Sequence, residues 1–167
     1  MLLCSPCWYV LYTRPKFEWK VADEICELNM ESYLPYRIML RRWSDRIKKI
    51  KDPLFPNYVF ARLNINEKSK VLQIPGVVKF VSFDDKPVYL KDYEIENIRR
   101  IQSADSAIKQ ESFYCEGDKV RVISGAFAGI EGILLKSINE KRLVIKFPII
   151  KQAVSVEIDS QFVEKLD

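Results

Sequence analysis

Apolar positions change their spacing several times along the chain, and each change marks an element. Trp8-Tyr9-Val10-Leu11-Tyr12 is aromatic and β-branched and predicts a buried strand, ended by Arg14-Pro15. Phe17, Val21, Ile25 and Leu28 then recur at helical spacing and predict an amphipathic helix closing near Asn29. Tyr33 to Leu40 suits a second strand. Arg41 to Asp52 has little periodic apolar content and reads as a hairpin or an exposed loop. Leu54 to Leu63 opens with a turn and continues as a strand, and Glu67 to Gln73 suits a short helix. Pro75-Gly76 makes a turn into a strand over Val77 to Phe83. Tyr93, Ile95, Ile98 and Ile101 then place a helix over Lys91 to Gln102. Strands and helices alternating in one compact unit predict an α+β sandwich, a sheet covered by helices.

After Gln102 the pattern lapses into polar residues, which predicts a linker over 103–112. From Phe113 to Asp167 the character is all-β. Val120-Arg121-Val122-Ile123, Ile133-Leu134-Leu135, Leu143 to Phe147 and Val154 to Ile158 are short strands spaced as in a small barrel. The expected organisation is therefore an N-terminal α+β domain over 1–102, a linker, and a C-terminal β-barrel domain over 113–167.

Composition and charge add partners to this picture. With 167 residues and 48% hydrophobic content, two small cores are attainable. The formal net charge of +4 is modest, but it is unevenly placed. Arg37, Arg41, Arg42, Arg46, Lys48, Lys49 and Lys51 form a basic run, whereas Lys/Arg and Asp/Glu balance from Phe113 onward. Any electrostatic contact with nucleic acid belongs to the first domain.

Catalysis has no candidate residues. The chain contains no histidine, so Ser-His and Cys-His nucleophile activation is excluded. Asp84-Asp85 reads as a surface turn, and no phosphate-binding glycine pattern occurs. Cys4 and Cys7 form a lone C-x-x-C without a second ligand pair, and Cys26 and Cys115 stand alone. Reduced thiols are expected, with no metal and no cofactor. Met1-Leu2-Leu3 is too short for a signal-peptide core, no run approaches a membrane span, and a cytoplasmic location is expected.

Two motifs carry a family resemblance. Gly117-Asp118-Lys119-Val120-Arg121-Val122, followed by Gly125-Ala126-Phe127-Ala128-Gly129-Ile130-Glu131-Gly132, resembles the KOW motif of NusG proteins and several ribosomal proteins. Leu54-Phe55-Pro56-Asn57-Tyr58-Val59-Phe60 resembles the hallmark of the NusG N-terminal (NGN) domain, and Trp8-Tyr9 and Pro75-Gly76-Val77-Val78-Lys79-Phe80-Val81 sit where that family has them. The ordered set covers nearly the whole chain. It implies a non-enzymatic transcription elongation and antitermination factor whose N-terminal domain grips the clamp helices of RNA polymerase.

Within that resemblance, Phe55, Pro56, Tyr58 and Phe60, with Phe83, Ile95 and Ile98 as neighbours, are expected to form an exposed apolar patch for a helical tip. Arg14, Lys16 and Lys20 lie at the start of the first helix, an edge that faces the displaced non-template DNA strand in RfaH-like relatives, and Arg14 and Lys20 match basic positions there. Arg41 and Arg42 are further nucleic-acid candidates, and a solvated surface is the competing reading for all five. Phe127 is expected to project from the barrel towards a ribosomal protein or other factor.

Tyr9 to Pro15 and Arg42-Trp43-Ser44-Asp45-Arg46 look like the specialised RfaH-like paralogues of capsule and exopolysaccharide operons. Lys151-Gln152-Ala153-Val154-Ser155-Val156 departs from the Gly-Arg-x-Thr-Pro-Val type of segment in general NusG barrels. This puts the usual barrel partners in doubt. A monomer is expected. The rival reading is a KOW-type RNA-binding protein of ribosome assembly or translation, which explains the barrel but not the Leu54 to Phe60 strand.

Overall fold

A computed structural model describes residues 5–43, 46–104, 108–111, 117–136 and 141–166. The chain divides into two compact units, Met1–Ile95 and Glu96–Asp167.

In the first unit, β1 (Cys7–Thr13), β2 (Glu31–Tyr33), β5 (Tyr58–Leu63), β6 (Val77–Phe80) and β9 (Tyr89–Leu90) form one antiparallel sheet. Its order is β2-β5-β1-β6, with β9 also pairing with β1. The helix α1 (Glu18–Glu27) buries Val21, Ala22 and Ile25, and Asn29 terminates it in the left-handed conformation (φ 59°). These residues share a core with Tyr9 and Leu11 of β1 and with Val59, Ala61 and Leu63 of β5. Val71 of α2 (Lys68–Leu72) joins the same core.

Two expected strands are each divided. Leu34-Pro35 separates β2 from β3 (Tyr36–Arg42), because proline cannot continue a ladder. The β3 strand pairs instead with β4 (Ile47–Pro53) in a separate two-stranded sheet. Likewise β6 stops at Phe80, and β7 (Ser82–Phe83) pairs with β8 (Lys86–Pro87). Asp84 and Asp85 form that tight turn, both at positive φ, as the expected surface turn requires. The expected helix is α3 (Asp92–Ser103), and the division between the units falls within it.

In the second unit, the expected linker contains a strand, β10 (Lys109–Glu111). It joins β11 (Asp118–Val122), β12 (Glu131–Lys136), β13 (Lys141–Phe147), β14 (Gln152–Glu157) and β15 (Val163–Lys165) in the order β10-β14-β13-β12-β11-β15. Val120, Val122, Leu134, Leu143, Val144, Val154 and Val156 fill the interior. At Gly132 a Cβ would strike the Val144 carbonyl and the Leu143 side chain, so only glycine permits this close passage of β12 over β13.

Candidate functional site

Leu54 to Phe60 owes its shape to a four-residue turn. The Tyr58 N–H donates to the Phe55 carbonyl at 3.1 Å. Pro56 occupies the second position and Asn57, at φ 68°, the third, the arrangement of a type II turn. Proline presets the first corner, and asparagine tolerates the left-handed second one.

Three contacts fix this turn, one each to the segment before β3, to β1 and to α1. The Leu54 N–H donates to the Pro35 carbonyl at 2.8 Å, and the Thr13 N–H to the Asn57 carbonyl at 2.8 Å. The Asn57 N–H donates to Oε1 of Glu18 at 2.9 Å. Glu18 is only 5% exposed although it is a carboxylate in the first turn of α1. The sequence pattern did not reveal this residue, because one glutamate at a helix start carries no signature of what it will touch.

Beyond the turn, β5 lies between β2 and β1. Tyr58 is opposite Tyr12 and Phe60 opposite Val10, so these four share one face. Rings meet edge-on at Tyr12–Tyr58 (5.4 Å between centroids) and Phe55–Phe60 (6.0 Å), and Tyr33 lies 6.2 Å from Phe60. Burial, and after it the neighbouring Tyr12 phenol, raises the Tyr58 pKa above its ordinary value.

The expected exposed patch is corrected here. Phe55, Phe60, Ile95 and Ile98 are buried, each at 2% exposure or less. The reason for Phe60 is topological: an inner strand with apolar residues on both faces keeps both covered. Pro56 is exposed, Tyr58 is half-buried, and Phe83 is 74% exposed on the β7–β8 turn. The surface thus retains Pro56 and Tyr58 of the motif, with half-buried Tyr12 beside Tyr58.

The basic candidates fall in two places. Arg14 and Lys16 lie between β1 and α1, and Lys20 lies on α1; all three are exposed. Arg41 and Arg42 are also exposed, near the end of the β3–β4 hairpin. They do not share a face: Arg41 stands opposite Lys48 and Arg42 opposite Ile47. Lys48 Nζ lies 5.9 Å from the ring of Trp43. At the hairpin's base, Arg37 donates twice to Oδ2 of Asp52 (3.0 and 2.9 Å), and Lys51 stacks over Tyr36 and Trp19. Tyr36 to Pro53 contains seven Lys/Arg against two Asp, a net +5 that exceeds the +4 of the entire chain. The remainder of the chain is therefore slightly acidic.

Phe127 also requires correction, since it is 8% exposed and does not project. Its loop is fastened from α3, where Arg100 donates to the carbonyls of Ala126 (3.0 and 2.8 Å) and Ala128 (2.8 Å). At the divergent segment, Lys151 adopts φ 50°, keeping a left-handed turn where the family pattern has glycine.

Cys4 lies outside the described residues, and Cys7 is a free thiol. Among the described residues, no group of three or more histidine, cysteine or acidic side chains is arranged to hold a metal. No helix among them is long and apolar enough to cross a membrane.

Comparison with known proteins agrees with this architecture. Residues 6–99 match the family model described as "Transcription termination factor nusG". The chain is 30% identical to the transcription termination/antitermination protein NusG of Vibrio vulnificus, covering 96% of each chain. It is 29% identical to that of Escherichia coli K12, covering 95% of each. Among solved structures, NusG of Thermotoga maritima, determined in a study of its domain interaction, superposes with a TM-score of 0.59 at 25% identity, covering 97% of this chain and 98% of that one. Proteins of this family are non-enzymatic transcription factors that bind RNA polymerase. The chain belongs to the NusG family.

Proposed function

We propose that this protein binds the clamp helices of RNA polymerase and promotes processive, antiterminating transcription, serving a long polysaccharide biosynthesis operon. The observation that carries this reading is the Phe55–Tyr58 turn. It presents Pro56 and part of the Tyr58 ring, while buried Phe55 and Phe60 and the Glu18 carboxylate hold it from behind. A preorganised aromatic beside a second half-buried tyrosine is an anchor for an apolar helix tip, because little side-chain freedom remains to be lost on binding. Phe83 supplies a second exposed ring.

Bridging the polymerase cleft disfavours an open, pause-prone clamp to the extent that the protein binds the closed state more tightly. The +5 hairpin and the Arg14, Lys16 and Lys20 group are assigned to nucleic acid, with the displaced non-template strand as the partner of the latter. The operon-specific role is supported by the divergent Lys151 to Val156 segment, which lacks the glycine and proline of the general pattern.

The test is capture of bacterial core RNA polymerase by the full chain at moderate salt, beside Tyr58→Ala. Binding should fall at least about tenfold in the variant, as for an interface hot spot. Retention of polymerase by the variant would remove Tyr58 from the contact, whereas capture of RNA without polymerase by the parent would transfer the assignment to the ribosomal reading.

A further inference from the structure

The two faces of the β3–β4 hairpin differ in content. Directly opposed residues of an antiparallel pair share a face, and alternate residues along a strand do too. Tyr36, Ile38, Leu40 and Arg42 therefore lie on one face with their partners Pro53, Lys51, Lys49 and Ile47. On it Ile38 is 55% exposed, and Leu40 and Ile47 are each 67% exposed. Each of these three stands opposite a cation, in the pairs Ile38↔Lys51, Leu40↔Lys49 and Ile47↔Arg42. Among the described residues, no acidic side chain belongs to this face. The hairpin's Asp52 is on the other one, engaged by Arg37, together with Arg41 and Lys48.

A sheet buries its apolar face beneath another layer, and a two-stranded ribbon is marginal in water unless something packs on it. The hairpin meets this need only at its base. There the Trp19 ring of α1 lies 5.4 Å from that of Tyr36, and Lys51 Nζ sits 4.9 Å from the Tyr36 ring and 5.7 Å from that of Trp19. A helix of this chain thus already packs on the first position of the face, with a cation over the rings. From Ile38 to Arg42 the same face runs on for about 13 Å, at ~3.3 Å per residue, with its aliphatic side chains exposed. That length matches roughly nine residues of helix, at ~1.5 Å each.

The chemistry of the strip selects its occupant. Ile38, Leu40 and Ile47 offer a base neither a hydrogen bond nor a stacking surface, whereas the apolar stripe of a helix would cover them. Lys51, Lys49 and Arg42 then meet whatever flanks that stripe, and carboxylates complement them. We propose that this face is a docking site for a helix of a partner protein, one whose apolar stripe is edged by Asp and Glu. Aliphatic burial supplies the affinity, and the three cations set the register and reject basic helices. Arg41 and Lys48, on the other face, remain the hairpin's phosphate contacts. The polymerase surface at Tyr58 takes no part in this assignment, so either can fail without the other.

The probe is a labelled synthetic helical peptide of about fourteen residues, with leucine at i, i+3, i+4 and i+7 and glutamate on both sides of that stripe. One control has the same residues scrambled, which keeps the charge and loses the stripe; another has lysine in place of glutamate. By fluorescence anisotropy the full chain should bind the acidic striped peptide at least about tenfold more tightly than either control. Leu40→Ser with Ile47→Ser should abolish that preference, and Met39→Ser, on the opposite face, should leave it intact. Lys49→Glu removes little apolar surface, should shift the preference towards the lysine peptide, and carries the comparison alone if the double variant loses its circular dichroism. Equal binding of the striped and scrambled peptides overturns the proposal, as does a preference that survives in the folded double variant or falls equally in Met39→Ser. Binding of a short DNA duplex, or of phosphatidylcholine–phosphatidylserine vesicles, that is lost in Leu40→Ser with Ile47→Ser also overturns it. So does a dimer of the full chain that this double variant dissolves, since each result gives the face to a different occupant.

Discussion

The β5 strand and the β3–β4 hairpin are neighbours in the chain, both rich in large apolar side chains, and they dispose of them in opposite ways. The β5 strand lies inside the sheet, along β1 for its whole length and along β2 from Phe60 to Arg62, and Val59, Phe60, Ala61 and Leu63 are all buried. In the hairpin each strand has one partner, and Ile38, Leu40, Trp43 and Ile47 remain between 51% and 67% exposed. Residue type is similar in the two; the number of neighbouring strands differs. An aromatic residue on an inner strand is first a packing residue, and it becomes a binding residue only where the strand ends. Tyr58 is at such an end, and Phe60, two residues on, is not.

The contrast can be broken most forcefully at Phe60. Truncation to alanine should cost about 3–5 kcal/mol in denaturant unfolding, the range for a large aromatic lost from a packed core. A cost below about 1 kcal/mol would show that this face tolerates loss of the ring, as a binding surface does. Glu18→Ala should come next, at about 1–3 kcal/mol, because the Asn57 N–H loses its buried acceptor. This variant should also weaken polymerase binding while leaving Tyr58 in place, which separates holding the turn from touching the partner. The smallest effect is expected at Leu40→Ser with Arg41→Ala, within about 0.5 kcal/mol for exposed positions. The same pair should flatten the salt dependence of nucleic-acid binding by roughly one unit of slope for the phosphate contact removed. A large loss of stability there would mean that the hairpin is part of the core after all.

Much of the fold could be read from residue patterns because those patterns are local. The spacing of Val21 and Ile25, the Asn29 stop, the β1 aromatics and the alternation in β11 and β13 each reflect a face that must be buried. The errors came where structure is set by distant partners. The β10 strand reads Lys-Gln-Glu and carries no apolar alternation, since backbone pairing places it. The β15 strand, Val-Glu-Lys, is equally brief. For the site, the motif located the turn, but composition cannot report that β5 lies inside the sheet, or that Glu18 reaches Asn57 across 39 positions. Phe127 was misjudged for the same reason. An apolar residue flanked by alanines and glycines resembles a loop tip until Arg100 is seen holding the loop.

The β3–β4 hairpin, paired only with itself, gives the protein a region of evolutionary freedom. Its ladder is internal, and Arg37–Asp52 with the Lys51 stack secures it at the base. Substitutions, and even changes in length, beyond that base would leave every strand pairing of the main sheet intact. Gene copies descended from one ancestor can therefore diverge at this hairpin while inheriting the same main sheet.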